Sequence, residues 1–397
     1  MNEATPSQST SSFQRGQDIS LRDVALVFLK LGTIAFGGPA AHIAMMEDEF
    51  VSRRQWLTHE EFLDRLAAAN LLPGPSSTEM AIFIGYEKRG WKGLLVAGCC
   101  FILPAAIMVA AIAAAYVRYG KLPQVNGFFY ALKPVVIAIV IQAIWKLGRA
   151  AVKTKWLAAV ALISALLYAL RVHETLVLAI AAALGALPLL AHRFHTAGHF
   201  SAALALVFAP LRANAAMSPT AFSMGRLFLV FAKIGAILFG SGYVLLAFLR
   251  TDLVDRLHWL TERQLLDAVA VGQITPGPVF TTATFIGYLI GGGRGATVAT
   301  VGIFAPAFFL VGLSGFIIPK IRRSKMAAAM LDGVVVGSLA LMAVVAWQLG
   351  RAAIIDIPTV AIAVASAALL LVWRVNSVWL IVAAGAFGFI FRGGALR

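Results

Sequence analysis

Long uncharged apolar runs recur along the chain, and charged residues bound each of them. Residues 93–117, 295–319, 357–373 and 375–391 contain no Asp, Glu, Lys or Arg. Each run is at or near the ~20 residues with which a helix spans the hydrocarbon core of a bilayer. A membrane β-barrel would instead show ~10-residue segments of alternating polarity. The pattern therefore predicts an all-α polytopic membrane protein.

Composition and charge agree with this prediction. Hydrophobic residues make up 60% of the chain and charged residues 13%, about half the fraction usual in soluble domains. The net charge of +15 would suggest nucleic acid in a soluble protein, but here Lys and Arg lie between apolar runs, as the positive-inside rule expects. We therefore expect the lipid bilayer, and no nucleic acid, as a partner. Residues 1–20 are polar and lack the apolar core of a signal peptide, so they are predicted to form a disordered cytoplasmic tail.

An internal repeat sets the architecture. Residues of the first half recur 203 positions later, and 202 positions later after one residue is dropped near position 282. The clearest matches are Phe28, Lys30 and Gly32 with Phe231, Lys233 and Gly235, and Pro73-Gly74-Pro75 with Pro276-Gly277-Pro278. We predict repeat domains at 21–213 and 222–397.

The charges of matched loops predict that the two repeats are inverted. Basic residues precede the run at 93–117 in the first half, whereas in the second half they follow the run at 295–319. Inversion requires an odd number of crossings between matched positions. Five runs fit: 93–117, about 122–148, 156–170, 175–191 and the short 200–211. In total we expect 10–13 membrane segments, of which the broken ones at 22–50 and 59–86 either span or re-enter.

Each half carries two Gly- or Pro-rich breaks inside apolar sequence, at 36–39 and 72–75 and at 239–242 and 275–278. Unpaired backbone at membrane depth is tolerated only when it is buried in protein or lines a cavity. A helix that starts after such a break presents N–H groups and a positive dipole end, which suit an oxyanion. The candidate substrate-binding residues are Lys30, Gly37, Gly38, Asn70, Pro73, Gly74, Pro75, Ser76, Ser77, Thr78, Lys233, Gly240, Gln273, Pro276, Gly277, Pro278, Thr281 and Thr282. Alternatively, the prolines only kink helices and the hydroxyls cap local backbone.

Three ionisable residues stand out in apolar surroundings. Lys30 and Lys233 are matched, and they either balance a dianion or extend toward the interface. Glu79 has no carboxylate counterpart, and it is a candidate for proton coupling or a helix N-terminal acid stabilised by the dipole. Asp64 and Asp267 are expected near the interface, either capping helices or paired with Arg65 or Arg263.

The segments at 36–46 and 70–80, together with 240–246 and 272–282, closely resemble the motifs of the chromate ion transporter family. The resemblance covers residues 22–397, which corresponds to the long two-domain form. It implies a multi-pass protein of the bacterial inner membrane that exports chromate, confers chromate resistance and is driven by the membrane potential or a proton gradient.

Chromate is a tetrahedral dianion, so a sulfate or other oxyanion carrier and a passive anion channel remain alternative functions. The sequence has no flavin, haem or thiol site, and we expect no enzymatic activity and no cofactor. The histidines between 192 and 199 are interpreted as a polar connection and not as a metal site. The sequence is also compatible with a homodimer.

Overall fold

The structure is a computed structural model that describes residues 19–120, 122–194, 222–239, 242, 244–373 and 375–394. Residues 1–18 of the tail predicted at 1–20, the run at 200–211 and the histidines at 195 and 199 lie outside these residues. Within them the chain is helical and contains no strand. The predicted all-α fold class is confirmed.

The helices follow the repeat. The first half contains α1 (Leu21–Ile34), α2 (Gly38–Glu47), a π-helix (Asp48–Arg53), α3 (His59–Ala69), α4 (Ser76–Tyr119), α5 (Pro123–Ala151), α6 (Lys155–Ala169) and α7 (Glu174–Phe194). The second half contains α8 (Met224–Ile237), α9 (Leu245–Leu249), a π-helix (Arg250–Arg256), α10 (Glu262–Ile274), a 3-10 turn (Val279–Thr281), α11 (Thr282–Arg323), α12 (Lys325–Ala353), α13 (Ile357–Leu371) and α14 (Ser377–Gly394).

Among the described residues, four segments are long and apolar enough to cross a membrane by length and composition. They are Ser76–Tyr119, Pro123–Ala151, Val279–Phe316 and Lys325–Ala353, and four shorter apolar helices accompany them. The protein is thus a multi-pass membrane protein. The predicted runs at 122–148, 156–170 and 175–191 correspond to α5, α6 and α7.

The first broken segment of each half re-enters instead of spanning. In the first half, the ring centroids of Phe28 on α1 and Phe50 on the π-helix lie 5.1 Å apart. Lys30 Nζ also lies 3.2 Å from Glu49 Oε2. A straight path across the membrane would separate these residues, because they lie on opposite sides of the break. The chain therefore turns back after α1.

The second broken segment also forms a hairpin. Thr58 caps the start of α3 in a capping box with Glu61, and the matched Thr261 does the same for α10. The chain turns at the Pro-Gly-Pro loop and continues into α4. An ion pair joins the two helices, because Arg65 Nε on α3 lies 2.7 Å from Glu87 Oε2 on α4. Both hairpin arms thus return to one face of the protein.

After this hairpin the chain bends sharply, and the second part of α4 spans the membrane. Inside α4 the backbone leaves helical geometry at Arg89 and Gly90, where Gly90 has φ +58°. The two parts of α4 pack so closely that a Cβ on Gly93 would overlap the carbonyl oxygen of Gly85. Gly291 and Gly292 make the equivalent bend in α11. We call the face at the bend of α4 the first face, and the face at its end, Tyr119, the second face.

The hairpins of the two halves enter from opposite faces. The outer part of α3 lies beside Glu87 at the first face. The outer end of α10 lies at the second face, because Arg263 Nη2 donates to Asn126 Oδ1, at the start of α5, over 2.6 Å. The repeats are therefore inverted, as the loop charges predict.

The halves are intertwined through their last helices. Helices α6 and α7 of the first half pack on α12, while α13 and α14 of the second half pack on α5. At the first face Lys153 Nζ, before α6, lies 3.0 Å from Asp332 Oδ1 on α12. Each repeat is thus completed by helices of the other.

Candidate functional site

Each Pro-Gly-Pro loop binds the other half of the protein, and we call this reciprocal pair of contacts the crossing. The Gly74 N–H donates to the carbonyl of Leu238 over 2.8 Å, and the Gly277 N–H donates to the carbonyl of Ala35 over 2.8 Å. Ala35 and Leu238 are matched residues at the ends of α1 and α8, where carbonyls lack partners within the helix. The loop of each repeat therefore binds the broken helix of the other.

Only glycine fits at the centre of each loop. Gly74 has φ +143° and Gly277 has φ +84°, in a region that side chains disfavour. A Cβ on Gly277 would lie 2.7 Å from Cβ of Ala105, and one on Gly74 would lie 2.5 Å from Oε1 of Glu79. The repeated glycine is thus explained by backbone conformation and by close approach.

Glu79 lies against this crossing in the first turn of α4. Its side chain is fully buried, and neither carboxyl oxygen has a hydrogen-bond partner among the described residues. The hydroxyl of Thr78 is likewise buried without a partner there. The dipole at the start of α4 favours a negative charge, but no protein donor satisfies the carboxyl group. Such a group is available for a proton or another ligand.

His42 on α2 is a site residue that the sequence analysis missed. It is 1% exposed, and its Nε2 lies 3.0 Å from the Ala35 carbonyl that also binds Gly277. Because a carbonyl only accepts, Nε2 carries the hydrogen, and Nδ1 of a neutral ring then accepts from the Ser77 hydroxyl at 3.3 Å. The available signal was a histidine in apolar sequence shortly after Gly37-Gly38-Pro39.

The second half is less polar at the matched positions. Leu245 replaces His42, and the hydroxyls of Thr281 and Thr282 each donate over 2.8 Å to local backbone carbonyls. Gln273 lines a cavity of only about 10 Å³ with Thr282, which is barely room for one water molecule. The hydroxyls of this half therefore cap the backbone, as the alternative interpretation expected.

The remaining predicted residues at the breaks divide between buried and exposed positions. Ser76 begins α4, and Gly37 and Gly38 adopt φ of +105° and +78° at the start of α2. Asn70 ends α3 and is exposed. Pro73 and Pro75 flank Gly74, Pro276 and Pro278 flank Gly277, and Gly240 lies outside the described residues.

Lys30 is ion-paired on its own hairpin. Its partner Glu49 is buried and is also bound by Arg54, whose Nε lies 2.7 Å from Oε1. The Lys30 side chain remains 48% exposed. In the described chain it makes no hydrogen bond or ion pair with a Pro-Gly-Pro loop.

Lys233 has the equivalent partner and one more. Its Nζ lies 2.5 Å from Oδ2 of Asp252, which matches Glu49, and 3.2 Å from Oε1 of Glu174 on α7. Both acids are almost completely buried. The second lysine therefore sits between two carboxylates, and the first is bound to only one.

Asp267 does not have the partner that was expected of it. It is 1% exposed, and it binds Lys133 Nζ at 3.0 Å and the Tyr116 hydroxyl at 2.8 Å instead of pairing with Arg263. The partners of Asp267 therefore differ from the expected Arg263, because α10 packs against α4 and α5 of the other half.

Inverted repeats with two crossed, broken-helix loops define a membrane protein of the transporter class. The model of the chromate transporter family matches the chain twice, at residues 22–186 and 225–389. The chain therefore belongs to the chromate transporter family.

Several curated relatives match over nearly the whole chain. The chromate transport protein of Cupriavidus metallidurans is 34% identical over 396 residues, covering 97% of each chain. The probable chromate transport protein of Synechococcus elongatus is 33% identical over 86% of this chain and 87% of its own. The chromate transport protein of Pseudomonas aeruginosa is 32% identical over 91% and 90%. A comparison with solved structures finds no match.

Proposed function

We propose that the protein is a secondary active transporter that exports chromate across the bacterial inner membrane and thereby confers chromate resistance. The observation that carries this proposal is the reciprocal crossing of the Pro-Gly-Pro loops, since inverted-repeat transporters bind ions at broken helices near the midplane. The names of the relatives supply the substrate.

The crossing has the chemistry that an oxyanion requires. Helix α4 begins at Ser76 and α2 begins at Gly38, so two helix N-termini with unpaired N–H groups start beside the crossed loops. The hydroxyl of Thr78, which has no partner among the described residues, adds a donor, whereas that of Ser77 donates to His42. Sulfate shares this geometry and charge, so it is the competitor that the site must be tested against.

The contact of each loop with the other repeat favours a carrier over an open channel. Each loop touches the other repeat directly, and the small cavity at Gln273 is too narrow for an anion. A substrate reaches such a crossing only when the repeats move relative to each other. That motion is what alternating access requires.

The charge distribution supports the proposed direction and coupling. The first face carries Lys88, Lys92, Lys153 and Lys155, so the positive-inside rule makes it cytoplasmic. Expelling a dianion toward the second face moves negative charge outward, which a negative-inside potential assists. Glu79 is the proposed site of a coupling proton.

Transport in proteoliposomes tests the proposal. Labelled chromate and sulfate are followed with an imposed proton gradient, an imposed potential, or neither. Gradient-dependent chromate accumulation that sulfate inhibits is the expected result. Downhill flux alone would favour a channel, and an absence of flux of both anions would contradict the substrate assignment.

A further inference from the structure

A cavity of about 390 Å³ opens between the two repeats, away from the loop crossing. Its walls come from the first turns of α5, from α10 and from the end of α12, so it lies at the second face. The polar residues of the lining are Asn126, Tyr130, Lys133 and Arg263. This volume lies in the usual range of ~300–1,000 Å³ for small-ligand sites, which combine an apolar lining with few polar groups.

Arg263 brings a positive charge to the exposed side of this cavity. Its Nη2 donates to Asn126 Oδ1 over 2.6 Å, and it makes no ion pair within the described ranges. A guanidinium group has five donors, and a neutral amide uses one of them. Arg263 is thus free to bind an anion with two parallel hydrogen bonds, the geometry that suits an oxyanion.

Lys133 supplies the second cation, and the Asp267 carboxylate neutralises its charge only while no anion competes for the ammonium group. Its side chain is 11% exposed and lies 3.0 Å from Oδ1 of Asp267, whose other oxygen accepts from Tyr116. Asp267 is behind the lining and does not belong to it. Lys133 therefore faces the cavity on one side and a buried carboxylate on the other.

The start of α5 adds to the positive electrostatic potential that Arg263 and Lys133 produce in the cavity. This 29-residue helix begins at Pro123, and Pro123, Asn126 and Gly127 line the cavity. Pro123 has no N–H and the Asn126 N–H donates to the Leu122 carbonyl over 3.0 Å, so the helix contributes the positive end of its dipole and not free donors. Tyr130 is already bound to Asp356, at 2.6 and 2.5 Å from its two carboxyl oxygens, so we assign it no ligand role.

We infer that this cavity is a second binding site for a tetrahedral oxyanion, held by Arg263 and Lys133, at which the anion and the Asp267 carboxylate compete for the Lys133 ammonium. The inference rests on the proposed function, because the cavity would give the exported anion a further binding site at the second face. The two repeats each supply one cation, so movement between them would change the affinity of this site.

Binding of labelled sulfate to purified protein tests the inference without requiring transport. In nanodiscs of neutral phosphatidylcholine we expect saturable binding that Arg263→Gln and Lys133→Gln each weaken by at least about tenfold, the effect of losing a charge-assisted hydrogen bond. Asp267→Asn should tighten binding, because Lys133 is then released from its competitor. Arg294→Gln, an exposed arginine at the same face, is the matched control and should leave binding unchanged.

Lipid composition identifies the source of the oxyanion. If nanodiscs with anionic phosphatidylglycerol abolish sulfate binding to the wild-type protein and to the Arg294→Gln control, and exchange back to neutral phosphatidylcholine restores it in both, the cavity is occupied by a lipid phosphate. Sulfate binding in both lipids would identify a free anion. Unchanged binding in Arg263→Gln and Lys133→Gln proteins that elute as folded species would overturn the inference. Chromate flux of the wild-type protein is measured in parallel. If flux is present while sulfate binding ignores both substitutions, the second site is refuted and the transport proposal stands.

Discussion

The N–H of Gly74 donates to the carbonyl of Leu238 over 2.8 Å, which joins the loop of the first repeat to the broken helix of the second. Gly277 and Ala35 form the reciprocal bond at the same distance. Each loop is therefore fixed to a helix that belongs to the opposite repeat. Any relative motion of the repeats has to strain or exchange this pair of bonds.

Substitution of either central glycine should stop transport. Gly74→Ala and Gly277→Ala force a side chain into a positive-φ backbone and into contact with Glu79 or Ala105, and such strain costs roughly 1–3 kcal/mol. Gly148→Ala on α5, where a Cβ meets nothing within 4 Å, is the control. Chromate flux and thermal unfolding in detergent provide the measurements. Normal flux in both loop variants would contradict the placement of the site.

Glu79→Gln should uncouple transport from the proton gradient. The change keeps the volume of the buried side chain but removes its ability to exchange a proton, so accumulation should be lost while chromate–chromate exchange continues. Glu87→Gln, at a partly exposed ion pair on the same helix, should behave as wild type. Accumulation that still follows the proton gradient in Glu79→Gln would assign the acid to helix stabilisation instead.

The two lysine variants should differ in stability. Lys233→Ala leaves Asp252 with Arg256 but leaves the fully buried Glu174 without its lysine, and loss of one partner of a buried pair costs about 3–5 kcal/mol. Lys30→Ala leaves Glu49 with Arg54, so the expected loss is smaller. Thermal unfolding ranks the variants, and Glu174→Gln should restore part of the stability of Lys233→Ala. Equal melting temperatures for the two lysine variants would contradict the charge balance described above.

The transport role of the lysines stays a separate prediction. If they balance the dianion, Lys30→Ala and Lys233→Ala both abolish chromate flux in protein that still inserts into the membrane. Lys30→Ala is the decisive variant, since its stability is the less affected. Wild-type flux in this variant would restrict the lysine to its ion pair with Glu49.

His42→Leu gives the first repeat the residue that the second repeat has at this position. The change removes hydrogen bonds to the Ala35 carbonyl and to Ser77, so we expect a loss of about 1–3 kcal/mol and slower chromate flux. The reverse change Leu245→His tests whether the asymmetry matters, and it should not rescue the first variant. An unchanged melting temperature for His42→Leu would show that the crossing does not depend on this ring.

The sequence predicted the elements that depend on local pattern. Apolar runs located the crossing helices, the repeated Pro-Gly-Pro motif located the loops, and α4 begins at Ser76 as the break at 72–75 indicated. The inverted orientation followed from basic residues in matched loops, because loop charge acts independently of how the helices later pack.

Contacts that depend on the path of the chain were beyond prediction. Whether 22–50 spans or re-enters decides which acid Lys30 meets, and only the folded hairpin brings Glu49 to it. Asp267 meets Lys133 because α10 of one repeat enters beside α5 of the other, a distance of 134 positions along the chain. Local patterns carry no information on such pairs.

The exchange of the last helices between repeats, with α6 and α7 on α12 and with α13 and α14 on α5, bears on how such an architecture can arise. Two separate copies of a single repeat could reproduce these contacts only as an antiparallel dimer. The ribosome would then have to deliver the same polypeptide into the bilayer in both orientations, a dual topology. Joining the copies in one chain removes that requirement, since each repeat can then evolve its own loop charges and its own buried acid.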